Sequence, residues 1–270
     1  MIIVQRLNGR NRMSDKKIKV ELVQKTPEAH RILALAKNTR LLGGEGWRAS
    51  YLRPIEEIME DVRYSLNTIR GPLEFIHYIF IITNASRAMT HQLVRHRVVS
   101  FAQQSLRVSK SLDFYLPEGI ECHAINEEIF RDAVEESQVA YEKLLEHGAD
   151  IQDARGILPI ATTSAILMKA NLRAILELLE TRLCLRVQGE FQNAAIQMAD
   201  LLREAHPWVS EHIGPQCLTK SMCLFPRFDT CPVSKAIPEL RGLPKDRLDS
   251  AKRIWGIHSG KGIQPKLKGR

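Results

Sequence analysis

Arg95-His96-Arg97-Val98-Val99-Ser100-Phe101-Ala102-Gln103-Gln104-Ser105-Leu106-Arg107 sets two arginines around a histidine and, seven residues on, a serine followed by a further arginine. Immediately upstream, Ser86-Arg87-Ala88-Met89-Thr90-His91-Gln92-Leu93-Val94 places apolar Ala88, Leu93 and Val94 at roughly helical spacing. The spacing predicts a helix that delivers Gln92, Arg95 and His96 to one of its ends. A turn or short strand then brings Ser105 and Arg107 back. Guanidinium forks bind phosphate and carboxylate bidentately, and a serine hydroxyl with backbone N–H groups completes an anion site. The chemistry indicated is nucleotide or phosphate binding. The competing reading is a solvated basic helix end, which the helix dipole favours.

Working outward, Ile18 to Val23 alternates apolar and charged residues as a half-buried strand does. Thr26-Pro27 reads as N-cap and first residue of a helix running to about Lys37. Gly43-Gly44-Glu45-Gly46 reads as a loop. Pro54 opens a helix with Ile55, Ile58, Met59, Val62 and Leu66 on one face, and Gly71-Pro72 ends it. Phe75 to Ile82 is dense in β-branched and aromatic residues and fits either a buried strand or an apolar helix. Further on, Asn126 caps a long helix to about His147, with the stripe Phe130, Val134, Tyr141, Leu144 and Leu145. Ala161 to Ala170 is β-like, Asn171 starts another helix, and Gln192 to His206 forms one more. Beyond Cys217 the pattern weakens. The expectation is one mixed α/β domain over 18–235, with irregular, partly disordered basic tails at 1–17 and 236–270.

The net charge of +8 invites a nucleic-acid reading, but its distribution opposes one. Residues 1–19 carry +5 and residues 252–270 carry +6, so 20–251 carry −3. Basicity confined to the ends is usually solvated, and no aromatics interleave the Arg-His-Arg run as a strand-stacking surface would require. No apolar run is long enough for a membrane span, and the N-terminus lacks a secretory pattern. Cys122, Cys184, Cys217, Cys223 and Cys231 form an odd set without a Cys-x-x-Cys pair. They read as reduced thiols in a cytoplasm, with no metal.

The Arg-His-Arg, seven residues, Ser spacing, with its flanks, resembles the signature of the flavin-dependent thymidylate synthases. So do Asp153-Ala154-Arg155-x-x-Leu158-Pro159, Asn171-Leu172-Arg173-Ala174 and Leu179-Glu180-Thr181-Arg182-Leu183-Cys184. Arg186-Val187-Gln188-Gly189-Glu190 and Gly214-Pro215-Gln216-Cys217 are similar to further family elements, and the likeness runs in order from about Arg48 to Cys231.

The resemblance implies a single mixed α/β domain of the flavin-dependent thymidylate synthase type. The implied reaction is methylation of deoxyuridylate to thymidylate, with methylenetetrahydrofolate as carbon donor. Flavin adenine dinucleotide (FAD), reduced by NADPH, is the implied hydride source. The implied assembly is a cytoplasmic homotetramer with shared active sites. It assigns Gln92, Arg95, Gln103, Ser105, Leu106, Arg107, Arg155 and Arg182 to the nucleotide. Arg182 is also the catalytic residue, polarising the pyrimidine ring, and Ser105 is a phosphate ligand, with no base evident beside it in sequence. Arg95, His96, Arg97, Asn171, Arg173 and Glu177 are assigned to FAD.

Several positions depart from the family pattern. Thr68-Ile69-Arg70-Gly71-Pro72-Leu73-Glu74-Phe75 stands where two histidines and a serine are usual, and only Glu74 remains. Glu177 replaces a His or Asn, Gly189 a tryptophan, and Leu106 a small or polar residue. These departures leave open a same-fold paralogue that binds a pyrimidine nucleotide, and flavin or not, with altered or no synthase activity.

Overall fold

The computed structural model describes residues 17–42, 46–108, 112–220 and 231. In chain order the elements are β1 (Lys19–Lys25), α1 (Ala29–Leu42), α2 (Trp47–Tyr51), α3 (Ile55–Asn67), β2 (His77–Ser86), α4 (Arg87–Leu93) and β3 (Val99–Gln103). There follow α5 (Glu118–Glu121), α6 (Ala124–Glu146), α7 (Ile151–Ala154), β4 (Thr163–Asn171), α8 (Leu172–Arg182), α9 (Gly189–Ala205) and α10 (Gln216–Thr219). Single 3₁₀ turns occupy Gly71–Phe75, Arg155–Ile157 and Pro207–His212. The strands form one sheet in the order β1-β2-β4-β3. It is antiparallel. Thr26, just after β1, bonds His77 at the start of β2, while Leu172, just after β4, bonds Ile76 and Arg87, just after β2, bonds Thr162.

The described residues group into two compact units. The first comprises 17–19, 83–95 and 102–166, and the second 20–82, 96–101 and 167–220. Leu106, Leu112, Phe114, Val134, Tyr141 and Ala154 form the core of the first, with Phe130 and Leu145 packed against it. This confirms most of the stripe expected on α6, although Leu144 is 39% exposed. In the second unit α1 packs on α3, and α8 on α9. Leu33, Ile58, Val62, Ile175, Leu179, Phe191, Ala195, Met198 and Leu202 are all buried there.

Of the apolar run Phe75 to Ile82, His77 onward is strand, while Phe75 closes the 3₁₀ stretch before it. Tyr78, Phe80 and Ile82 alternate into the interior with period two. The alternation breaks at Asn84, which adopts left-handed φ 57°, and Ala85 and Ser86 are then both buried. Asparagine tolerates this conformation better than most side chains.

Other expected boundaries moved. Thr26 does not cap α1; its backbone N–H and hydroxyl donate to the His77 carbonyl, and its hydroxyl accepts from the His77 N–H. The helix consequently begins at Ala29. The helix from Pro54 ends at Asn67, ahead of Gly71-Pro72; at its end the Thr68 N–H and hydroxyl both donate to the Tyr64 carbonyl, at 3.0 and 2.7 Å. Asn126 is not a cap; the Glu127 N–H already bonds the His123 carbonyl, so α6 begins at Ala124. The last long helix begins at Gly189 because the Gln192 N–H bonds the Gln188 carbonyl. A helix starts at Asn171 as expected, and the Asn171 side chain caps it, accepting from the Ala174 N–H at 2.8 Å. Most of the Gly43–Gly46 loop, Cys223 and both basic tails lie outside the described residues.

Candidate active site

Ser86 caps α4, its hydroxyl accepting from the Met89 N–H at 3.0 Å. The chain turns at Val94, passes Arg95 to Val98 as loop, and enters β3. In the first unit this sets Gln92 on the last turn of α4 and Arg95 just past it, with Gln103 at the end of β3. Ser105, Leu106 and Arg107 form the turn that follows. The expected helix and short returning strand are both present. Leu106 is buried in the unit's core, so its side chain anchors the turn and only its backbone is left to meet a ligand. The Ser105 hydroxyl accepts from the Arg107 N–H at 3.2 Å. Among the described residues no base bonds it, which favours an anion ligand over a nucleophile.

The side chains of Arg95 and Arg107 are exposed and make no hydrogen bond or ion pair among the described residues. Arg155 follows α7, itself capped by Asp150, and its Nε donates to the Gln152 carbonyl at 3.2 Å. Near it lies Arg87, which sequence reasoning did not single out. The Arg87 Nη2 donates to the Gln104 carbonyl at 2.9 Å, while its Nε is buried without a partner. Burial first, and the Arg155 charge second, push the Arg87 guanidinium below its ordinary range. Two neighbouring cations with an unspent buried donor suit a dianion. A signal for Arg87 existed: an arginine at the first helical position opposes the dipole.

Further candidate residues lie in the second unit. Arg182 ends α8, and its guanidinium carbon lies 4.4 Å from the centre of the Phe191 ring of α9. Gln192 ties the two helices together, its amide nitrogen donating to the Cys184 carbonyl at 2.9 Å. The imidazole of His96 meets the same Phe191 ring edge-on, at 6.5 Å between centroids. His96 Nε2 and Arg182 Nε are both buried without partners. Burial, then the Arg182 charge, hold the His96 imidazole below its usual range, so it is neutral at pH 7. Burial also lowers Arg182. Arg97 is exposed and makes no hydrogen bond or ion pair among the described residues.

Arg173, near the start of α8, donates to Glu177 at 3.1 Å and Glu74 at 2.8 Å, all three being exposed. Asn171 is occupied by its capping bond, and Glu177 by Arg173. Glu180, 5% exposed, is held by Arg70 at 3.1 Å and by Lys220.

The family model for thymidylate synthase complementing protein matches residues 21–208. The chain belongs to this family. It is 33% identical over 245 residues to the flavin-dependent thymidylate synthase of Nitratidesulfovibrio vulgaris, covering 82% of this chain and 98% of that one. It is 34% identical over 205 residues to the flavin-dependent thymidylate synthase of Sulfurisphaera tokodaii, covering 74% and 79% respectively. In fold it resembles the UMP/dUMP methylase PolB of Streptomyces cacaoi, a structure bound with 5-Br dUMP. The TM-score is 0.64 at 23% identity, over 73% of this chain and 94% of that one.

Flavin dependence within this family makes FAD the cofactor to test against the residues present. The second unit offers Arg97 and Arg173 as cations for a diphosphate, and an unpartnered buried imidazole nitrogen on His96. This donor set fits an anionic dinucleotide. At Gly71 and Gly189 an added Cβ would meet nothing within 4 Å, so both departures from the family pattern leave open space rather than a clash. Among the described residues no helix is long and apolar enough to cross a membrane, and no three His, Cys, Asp or Glu side chains gather as a metal site.

Proposed function

We propose that this family member methylates deoxyuridylate to thymidylate, taking a methylene group from methylenetetrahydrofolate, with NADPH as the ultimate reductant. The observation that carries the reading is the Arg87–Arg155 pair beside the Ser105 turn. Cations with an unspent buried donor and a hydroxyl with no base at hand fit a nucleotide monophosphate. Arg107 and Arg95 add charge, Gln92 and Gln103 supply polar edges, and the backbone at Leu106 closes the turn. Arg182 polarises the pyrimidine ring. Its guanidinium is steadied on Phe191, engages no acid among the described residues, and stabilises negative charge developing on the ring.

FAD binds through Arg95, His96, Arg97, Asn171 and Arg173, with Glu177 tuning Arg173. When bound and reduced, it supplies the hydride that converts the transferred methylene to methyl. Neutral His96 contributes a hydrogen-bonding nitrogen without adding charge beside Arg182. The catalytic domain is taken as 18–235, working as a cytoplasmic homotetramer with shared active sites. The odd count of five cysteines, with no Cys-x-x-Cys pair, supports a reducing compartment.

Calorimetric titration of the full chain with deoxyuridylate, with and without added FAD, tests the reading. Saturable binding of both supports it. Absence of nucleotide binding contradicts it.

A further inference from the structure

We propose that Thr90 and Ser164 lock the Gln103 amide in one orientation, so that its Oε1 accepts a hydrogen bond from a neutral N–H or O–H donor on the nucleotide. The inference rests on reading the first unit as the nucleotide site. Gln103 ends β3, Thr90 lies on α4 and Ser164 on β4, so three separate elements converge on one side chain. Thr90 is 1% exposed and Ser164 4%. The Thr90 hydroxyl donates to the Arg87 carbonyl at 3.3 Å. A carbonyl only accepts, so the proton of Thr90 is committed there and its oxygen remains an acceptor.

The Gln103 atom 2.9 Å from that oxygen must therefore be the nitrogen, Nε2. The second N–H of the same nitrogen reaches the Ser164 Oγ at 3.0 Å. Turning the amide over would set Oε1 against an oxygen whose proton is already used, in a place from which water is excluded. Both N–H groups are thus spent, and Oε1 has no partner among the described residues. Gln103 can accept from a ligand and cannot donate to one. A phosphate oxygen or base carbonyl at that spot would be repelled, which leaves the phosphate to Ser105 and the arginines. Gln103 reads a donor, either the imide N–H of the base or a sugar hydroxyl, and Thr90 and Ser164 are its positioning residues.

The test is calorimetric titration of the full chain with deoxyuridylate, its N3-methyl analogue and its 3′-deoxy analogue. The proteins compared are the wild type, Thr90→Val, Ser164→Ala, Thr90→Ser and Gln103→Met, each checked for folding by circular dichroism. The wild type should bind one analogue about five- to tenfold more weakly, the loss expected for one neutral hydrogen bond; which analogue it is names the donor. In Thr90→Val, Ser164→Ala and Gln103→Met, deoxyuridylate should weaken by a similar factor, and discrimination against that analogue should shrink to about twofold or less. Thr90→Ser keeps the hydroxyl and should keep wild-type behaviour. If Thr90→Val does not fold, Ser164→Ala and Gln103→Met carry the comparison. Equal wild-type affinity for all three nucleotides overturns the proposal, as does undiminished discrimination in the folded variants. A wild type that binds no deoxyuridylate instead overturns the nucleotide-site reading beneath it.

Discussion

Replacing Arg182 with alanine separates the chemistry from the fold because its guanidinium engages no acid among the described residues. Removing Arg70 would strip a partner from buried Glu180, whereas removing Arg182 leaves no carboxylate unpaired. What the fold loses is the contact with Phe191 at 4.4 Å, worth about 0.5–2 kcal/mol for a cation over an aromatic face. Relief of the burial that disfavours the Arg182 charge offsets part of this. A net cost of about 1 kcal/mol lowers the melting temperature by roughly 2–4 °C in a chain of this size. On the proposed role of Arg182, catalysis should lose a fixed charge at a developing anion, about 3–4 kcal/mol, or two to three orders of magnitude in turnover. The assay is steady-state thymidylate formation with saturating cofactor and substrates, paired with thermal unfolding. The His96 imidazole, held low in part by the Arg182 charge, should titrate at higher pH in the variant by NMR. Turnover within about threefold of wild type would remove Arg182 from the mechanism, and a wholesale loss of folding would make its role structural.

Further outcomes follow from the same structure. His206 is 7% exposed, and burial lowers its pKa from 6.5 to about 4. The unfolded chain therefore binds the extra proton between those values. Stability from this group is fully present above about pH 6.5 and falls away toward pH 4, by about 3 kcal/mol at most; His206→Phe should flatten that part of the pH–stability curve in denaturant titrations, and an unchanged curve refutes the assignment. Glu177→Asn leaves Arg173 with Glu74 alone and should tighten FAD about two- to fivefold by flavin fluorescence quenching, consistent with an exposed ion pair worth under about 1 kcal/mol; weaker binding would show Glu177 to be a ligand itself. Gly189→Ala lies in the first turn of α9, where an added Cβ meets nothing within 4 Å, and should raise stability by about 0.5 kcal/mol; destabilisation would show that the position needs glycine. Arg70→Met should cost about 1–3 kcal/mol in unfolding free energy, because Glu180 stays buried with Lys220 alone, and a neutral result would mean that Lys220 suffices.

The elements around the site were largely legible in the residues. Helix, returning strand and serine turn at 87–107 followed from spacing, as did the helix start at Asn171. Boundaries set by long-range bonds were not legible. Thr26 looks like a cap in isolation, but its hydroxyl is taken by His77, 51 residues away. The strand over His77–Ser86 is as apolar as a buried helix, and only its pairing with β1 and β4 decides it. At the site, sequence named the cations and missed what aims them. Phe191 beneath Arg182 and His96 carries no local signal, and Thr90 and Ser164 reach Gln103 from two other elements. Leu106 reads as a ligand-facing position by its place in the motif and lies in the core by its packing.

The proposed reaction of this chain is the making of thymidylate with a flavin. Its most direct test is release of tritium from 5-labelled deoxyuridylate by the purified full chain, supplied with FAD, methylenetetrahydrofolate and NADPH. Release should be matched by thymidylate appearing on chromatography and lost when FAD or methylenetetrahydrofolate is omitted. Bound deoxyuridylate and bound FAD with no release beyond the enzyme-free control would contradict it.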